Sequence, residues 1–172
     1  HMDSLIDIFH CDMTEQPDVV VADALPLGFE PAPYLDIGPR KVALFKVQQT
    51  KRFIADSLVL CHFLPYSYTQ YAEITAAVTG WDTSVMEQYR TAERILTMCR
   101  LFNVREGFSA EDDKLPQRFF QPTRDGALSK TALDPEEMEK AKHYYYHLMG
   151  WDDMGNPLAQ KLEELGIDHF QC

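Results

Sequence analysis

The chain has 172 residues, 45% hydrophobic and 25% charged, which is ordinary for one globular domain with a substantial core. Its formal net charge of −11 would repel a phosphate backbone, so nucleic acid is excluded as an expected partner. We find no apolar run of the roughly 18 residues that span a membrane, no basic amphipathic stretch and no secretory signal. The sequence therefore predicts a cytoplasmic protein without a membrane partner.

The cysteines of the chain are too scattered to form a complete metal site. Cys11, Cys61, Cys99 and Cys172 include no C-x-x-C pair, and a chain of this length with a normal core does not need a disulfide framework. Their spacing also fits no complete zinc or iron–sulfur motif. Any cysteine that binds a metal here would therefore need additional ligands from elsewhere.

The N-terminal region, residues 1–40, is predicted to be irregular. His1 and Met2 are typical of the remnant of a cleaved affinity tag. Val19–Val21 is a short β-branched run that would suit an extended segment, and prolines recur up to Pro39. We expect a proline-rich arm over residues 1–40, followed by a helical domain over residues 41–172.

Apolar periodicity predicts three helices in the first half of this domain. Residues 41–60 contain neither Pro nor Gly and are apolar over a broad face, as in a helix buried between neighbours. Residues 68–79 form a second pattern that ends before a glycine, with Ile74, Ala77 and Val78 predicted to face inward. The third helix, residues 85–102, follows a Ser-x-x-Glu capping box and should bury Cys99.

The sequence of the second half of the domain predicts a loop and two further helices. Asp134 is an expected N-cap, with Pro135 at the first helical position, and this helix should end at Gly150. A last short helix is expected over residues 157–166. We therefore predict an all-α fold: an irregular bundle of about five helices with the proline-rich arm at its N-terminus.

Residues 56–61, with the sequence DSLVLC, form the first candidate site. A lone cysteine in an apolar helix is typical of a small buried core residue, which is one interpretation of Cys61. On a helix, Asp56 and Leu60 would share a face and Cys61 would lie about 100° further round. A carboxylate there can accept hydrogen bonds from a ligand, and a thiolate can bind a metal, so a functional interpretation stays open.

A second candidate site consists of two histidines. His143 and His147 are four residues apart, which places two imidazoles on one side of a helix and suits zinc. The H-E-x-x-H form is absent and no third ligand is evident, so a pair at the surface or at the edge of the core is the alternative.

Five stretches together resemble the aldehyde ferredoxin oxidoreductase family of tungsten or molybdenum bis-pterin enzymes. DSLVLC at residues 56–61 is similar to the family's D-x-x-G-L-C motif. Four further matches follow in order over about residues 40–168: VTGWD at 78–82, RLFNVREGF at 100–108, DKLPQRF at 113–119, and an ending with GWD at 150–152 and KLEELG at 161–166.

The resemblance implies the C-terminal helical domain of such an enzyme, with two cofactors shared with the preceding domains. Asp56 and Leu60 would contact the pterin, and Cys61 would be one ligand of a [4Fe–4S] cluster. Val59 stands where the motif has glycine, which adds a side chain where the backbone would approach the pterin. The family's catalytic histidine has no match here, so the catalytic residues are left unassigned.

The resemblance also implies a function for the whole enzyme. It would oxidise a small aldehyde to a carboxylic acid and pass the electrons through the [4Fe–4S] cluster to ferredoxin. This fragment alone would be inactive and without cofactor. The alternative is a cofactor-free structural or interaction domain that has retained the fold.

Overall fold

The computed structural model of the protein describes residues 27–30, 32, 36–61, 64, 66–125 and 132–170. Within these ranges it contains no β-strand, and the predicted all-α fold is confirmed. The described residues form five α-helices: α1 (Pro39–Ser57), α2 (Tyr68–Thr79), α3 (Val85–Arg105), α4 (Pro135–Met149) and α5 (Ala159–Leu165). Short 3₁₀ turns at Gln117–Phe120 and Asp168–Phe170 accompany them.

Local signals fix most of the helix ends. α4 begins as predicted, because the Asp134 carboxylate accepts hydrogen bonds from the amides of Glu136 and Glu137 at 2.8 and 3.0 Å. α2 begins with a capping box between Ser67 and Gln70, which the sequence analysis did not identify. Such caps satisfy amides that have no partner within the helix.

The largest error concerns the end of α1. The helix was predicted to run to Leu60 but ends at Ser57, so Leu60 and Cys61 lie beyond it and do not share a helical face with Asp56. At its other end the helix starts earlier than predicted, with Pro39 in the first position, where a missing amide costs nothing. α3 is also longer than predicted and ends at Arg105.

The helix α3 lies at the centre of the fold, in contact with α1, α2 and α5, while α1 also contacts α4. One apolar cluster joins α1, α2 and α3 through Ile54, Ala55, Tyr71 and Ala92. A second cluster, around Leu96, Tyr146 and Trp151, joins α3 to α4 and the segment that follows it. These two clusters hold the end of α1 and the segment after α4 against the middle of α3.

Two predictions of burial were wrong. Ala77 and Val78 are exposed, and α2 instead buries Tyr71, Ala72 and Thr75. Cys99 of α3 is also exposed. The buried positions of α2 lie nearer its beginning, where Tyr71 packs with Ile54 of α1 and Ala92 of α3.

Most of the predicted arm, including Val19–Val21, lies outside the described residues, as do His1, Met2, Cys11 and Cys172. In the part of the chain that is described, each helix is too short or too polar to cross a membrane.

Candidate functional site

The turn formed by residues 56–61 ends α1 and carries the predicted site residues. The amide of Val59 donates to the carbonyl oxygen of Asp56 at 3.1 Å, and the amide of Leu60 donates to that of Ala55 at 2.9 Å. These two bonds form a Schellman motif, which requires a left-handed backbone at its central residue. The chain therefore reverses direction just before Cys61.

Val59 adopts this left-handed conformation, with φ of +57°, and is the only non-glycine residue in the described ranges with positive φ. Glycines occupy the corresponding left-handed positions after α2, α3, α4 and α5: Gly80, Gly107, Gly150 and Gly166. A β-branched side chain is strained there because its Cβ crowds the backbone. The valine side chain is 90% exposed, so no packing within the described residues offsets that strain.

The three predicted site residues have different surroundings. The Asp56 carboxylate lies in the last turn of α1 and is exposed. Leu60 is half-buried and packs against the cluster of Ile54, Ala55, Tyr71 and Ala92, which anchors the turn. Cys61 is exposed and is a free thiol, so its interpretation as a small buried core residue is wrong. The turn thus presents a carboxylate and a thiol at the surface from an anchored backbone.

A cleft of about 780 Å³ lies beside this turn. Ser57 and Leu58 line it from the end of α1, and Trp81 and Asp82 line it from the segment after α2. The opposite wall comes from α3, where Arg94 donates to the Glu87 carboxylate at 3.0 Å. The structure therefore brings together the DSLVLC and VTGWD stretches, which are far apart in the sequence.

Three of the other motif stretches meet at Arg100, which is 6% exposed. Its guanidinium lies 2.7 Å from the Asp113 carboxylate and donates to the Gly155 carbonyl oxygen at 2.7 Å. Its charge also lies 5.6 Å from the ring centres of Tyr146 and Trp151, within range of a cation–π interaction. One buried arginine thereby joins the stretches at 100–108, 113–119 and 150–152.

Tyr146 completes this arrangement by donating its hydroxyl to the Asp113 carboxylate. Burial, together with the hydrogen bond to Asp113, raises the pKa of Tyr146 well above its ordinary value. The hydroxyl therefore stays protonated at neutral pH and acts only as a donor to that carboxylate. The motif residues around Arg100 thus form a structural centre in which Asp113 is paired with both Arg100 and Tyr146.

A second buried ionic group links α1, α3 and α5. Glu93 is 7% exposed and lies 2.6 Å from the Lys46 ammonium and 3.5 Å from that of Lys161. Lys46 also donates to the carbonyl oxygen of Leu148 at 2.8 Å. Burial and the nearby Glu93 charge raise the pKa of Tyr89, which lies beneath Lys46.

Sequence reasoning missed Glu93 and the role of Arg100, although a signal was present. Tyr89, Glu93, Leu96 and Arg100 follow each other at spacings of four, three and four residues along α3. This is the spacing of one helix face, so the two charged residues lie on the same stripe as a buried leucine.

The two histidines face an aspartate rather than a metal-ligand cluster. His147 Nε2 lies 2.9 Å from Asp153 Oδ1, and His143 Nδ1 lies 3.6 Å from the same oxygen. Across the described residues, no group of three or more His, Cys, Asp and Glu side chains has the geometry to hold a metal ion. The structure accordingly gives the zinc alternative no support.

The fold recurs within a longer enzyme chain. The structure is similar to a chain of the active site complex BamBC of benzoyl coenzyme A reductase in complex with 1,5-dienoyl-CoA, with a TM-score of 0.66 and 23% identity. The similarity covers 95% of this chain and 25% of that one. At this level of identity the likeness concerns the fold alone, which is that of a helical domain found inside a larger chain.

Sequence comparison defines the family. Residues 10–167 match the family model described as "Aldehyde ferredoxin oxidoreductase, domains 2 & 3". The chain therefore belongs to the aldehyde ferredoxin oxidoreductase family, and the resemblance drawn from the five motif stretches is confirmed. The matched range begins at residue 10, well before the region in which those stretches lie.

The relatives are much longer than this chain. The tungsten-containing aldehyde ferredoxin oxidoreductases of Pyrococcus furiosus and Thermococcus kodakarensis are each 33% identical over 139 residues, which cover 78% of this chain and 22% of theirs. An aliphatic sulfonate oxidoreductase, WOR-like subunit, of Pyrococcus furiosus is 29% identical over 120 residues, 65% of this chain and 19% of that protein. The chain thus spans about a fifth of the length of these relatives.

Proposed function

We propose that this chain is a cofactor-contacting domain of an oxidoreductase of the aldehyde ferredoxin oxidoreductase type. Asp56 and Leu60 would contact a tungsten or molybdenum bis-pterin, and Cys61 would be one ligand of a [4Fe–4S] cluster. The observation that carries this proposal is the turn at residues 56–61, which exposes a free thiol and a carboxylate from an anchored backbone.

The residues of the turn fit these roles as part of a site. A [4Fe–4S] cluster takes four cysteine thiolates, and Cys61 is an exposed free thiol that belongs to no group of three or more potential metal ligands in the described ranges. Cys61 would therefore supply one ligand, and the other three would come from the preceding domains. The backbone at Val59 has the conformation that the glycine of the family motif would adopt at no steric cost.

The metal–pterin would supply the aldehyde oxidation and the cluster the electron path, as is usual for such cofactors. The role of Asp56 would be to accept hydrogen bonds from pterin N–H groups, which a carboxylate without its own proton does well. Leu60 would present its backbone while its side chain remains packed against Ala55 and Tyr71. Cys61 would bind as the thiolate, one residue further along the turn.

In the complete enzyme, an aldehyde and one water would give a carboxylic acid, two electrons and two protons, with ferredoxin as the electron acceptor. We expect the enzyme to be cytoplasmic, and the domains that precede this one to be its nearest partners. The isolated chain should be inactive, because Cys61 would supply only one of the four thiolates that the cluster needs.

Replacing Cys61 by serine in the complete polypeptide tests the proposal. Cys99→Ser is a matched control, since Cys99 is also an exposed free cysteine but lies on α3. We expect Cys61→Ser to lower the iron and labile sulfide per chain and to alter the electron paramagnetic resonance signal of the cluster, while Cys99→Ser leaves both unchanged. Full iron content and an unaltered signal in Cys61→Ser would refute the assignment.

Val59 favours a second candidate, a domain that has kept the fold but lost its cofactors. Its exposed side chain stands where the motif has glycine and would obstruct a close approach of the pterin. Metal analysis of the native complete protein separates the two candidates. Tungsten or molybdenum together with iron supports the enzyme, whereas the absence of all three supports the cofactor-free domain.

A further inference from the structure

A cavity of about 830 Å³ lies between α1, α3, α4 and the loop at residues 113–120. None of the residues of the turn at 56–61 lines it. Small-molecule sites commonly have volumes of about 300 to 1,000 Å³, so this cavity is large enough for a metabolite. It requires an explanation separate from that of the turn.

The wall of this cavity is rich in aromatic side chains. Phe45 lies 5.6 Å from Tyr145, and Tyr145 lies 5.9 Å from Trp151, measured between ring centres. Phe53 and Phe120 add two further rings to the lining. Tilted and edge-on contacts of this kind are favourable geometries between aromatic rings. The wall would therefore accept an aromatic or aliphatic body.

The charges in the wall have the opposite balance to the protein as a whole. The chain has 27 acidic and 16 basic residues, yet basic side chains outnumber acidic ones here. The charged lining residues are Lys41, Arg100, Lys114, Lys142, Asp113 and Glu139. Asp113 is already paired with Arg100 at 2.7 Å, and Glu139 with Lys142 at 2.8 Å. Both carboxylates of the wall are thus already paired with basic side chains of the same wall.

Hydrogen-bond donors in the wall remain without acceptors. Lys114 is an exposed residue of this wall, and among the described residues its ammonium has neither a hydrogen bond nor an ion pair. The indole N–H of Trp151, a residue only 6% exposed, also has no hydrogen-bond partner there. A buried donor without an acceptor is unfavourable, so an acceptor supplied by a ligand would stabilise the indole N–H of Trp151.

We propose that this cavity binds a small monocarboxylate with an aromatic or aliphatic body. The body packs against the rings of Phe45, Phe53 and Tyr145, and the carboxylate accepts hydrogen bonds from Lys114 and Trp151. An ionic group is the acceptor that a lysine ammonium binds best. This binding needs neither pterin nor iron, so the proposal stands independently of the function assigned to the turn.

The fluorescence of Trp151 in the 172-residue protein tests the proposal. Trp81 is 69% exposed and lines the other cleft, so Trp81→Phe leaves Trp151 as the sole reporter. We expect phenylacetate to change this emission saturably and 2-phenylethylamine, a cation of similar shape, to have no effect. Lys114→Met should weaken the binding of phenylacetate about tenfold or more, while Lys114→Arg retains it.

Two further variants separate the cavity from the general surface. Lys140→Met removes an exposed lysine of α4 that does not line the cavity and should leave phenylacetate binding unchanged. Met138→Glu places a negative charge in the wall and should abolish binding, with circular dichroism melting to verify the fold. Equal responses to phenylacetate and 2-phenylethylamine, or equal affinities in Lys114→Met and Lys140→Met, would overturn the proposal.

Discussion

The amide of Leu60 donates a 2.9 Å hydrogen bond to the carbonyl oxygen of Ala55, and this bond folds the chain back beside the end of α1 immediately before Cys61. The residue inside this loop is Val59, in a conformation that favours glycine. The position of the candidate cluster ligand therefore depends on a strained residue.

We predict that Val59→Gly stabilises the protein by about 0.5–1 kcal/mol. A left-handed backbone destabilises a residue with a side chain by about 1–2 kcal/mol, and glycine removes this strain. Part of the gain is offset because glycine also has more conformational freedom in the unfolded chain. Urea unfolding of the two proteins measures the difference. Since the valine side chain is 90% exposed, its removal costs almost no packing.

Gly107 offers the reciprocal experiment, because it occupies the same position in an equivalent motif after α3. Its amide donates to the Val104 carbonyl oxygen, and that of Phe108 to Asn103, both at 3.0 Å. A Cβ added at Gly107 would meet no atom within 4 Å, so Gly107→Val should change the stability through backbone strain and not through a steric clash. We expect it to destabilise the protein by about 1–2 kcal/mol; no loss would contradict the account of Val59.

We predict that Arg100→Met destabilises the protein by about 2–3 kcal/mol, because Arg100 is buried whereas the Asp113 side chain is 37% exposed and can be hydrated in part once its cation is removed. The substitution would leave Asp113 without its cation and the Gly155 carbonyl oxygen without its donor. Thermal or urea unfolding gives the value. Arg105→Met, at a half-exposed arginine of the same helix, serves as the control and should change the stability by less than about 0.5 kcal/mol.

The sequence was sufficient wherever one local signal decided the structure. Asp134 with Pro135 predicted the start of α4, and Gly150 predicted its end, because a cap and a left-handed glycine act within a few residues. The prediction for the end of α1 was wrong because no such local signal is present there. Leu58, Val59 and Leu60 are all compatible with a helix, and the sequence has no glycine there to mark the reversal.

The buried ionic contacts of Glu93 and Arg100 could not be predicted, because the residues that form them lie far apart in the sequence. Glu93 is buried because Lys46 of α1 and Lys161 of α5 converge on it from 47 and 68 residues away in the chain. The motif at residues 100–108 identified Arg100 as part of a family pattern, but only the fold places Asp113 and Gly155 around it. For Cys61, the sequence supplied the residue and the structure supplied its exposure.

We predict strong coupling between Lys46 and Glu93. Glu93→Leu alone should cost about 3–5 kcal/mol, because it leaves Lys46 charged and largely buried without its partner. Adding Lys46→Met should recover about 1 kcal/mol or more of that loss in a double-mutant cycle. The exposed pair of Arg40 and Glu30 provides the comparison and should give a coupling close to zero. Equal couplings for the two pairs would contradict the buried role of Glu93.

The last prediction concerns Asp152, whose carboxylate organises the turn after α4. It accepts hydrogen bonds from the amides of Met154 and Asn156 at 2.9 and 2.8 Å and from the Asn156 side chain. Burial would raise the pKa of Asp152, but the hydrogen bonds from Asn156 and Met154 outweigh it and hold the pKa below its ordinary value. Because these bonds favour the charged form, they stabilise the folded state only while the carboxylate is ionised.

The stability from Asp152 is therefore fully present above its pKa in the unfolded chain, about 4, and is lost as the pH falls through its lower pKa in the folded state. Asp152→Asn removes the ionisation and keeps one acceptor oxygen. We expect its deficit in unfolding free energy to be largest near neutral pH and to shrink below about pH 4. Asp82→Asn, at an exposed carboxylate without a hydrogen bond among the described residues, should show no such trend. A deficit for Asp152→Asn that stays constant from neutral to acidic pH would show that the charge of this carboxylate does not stabilise the turn.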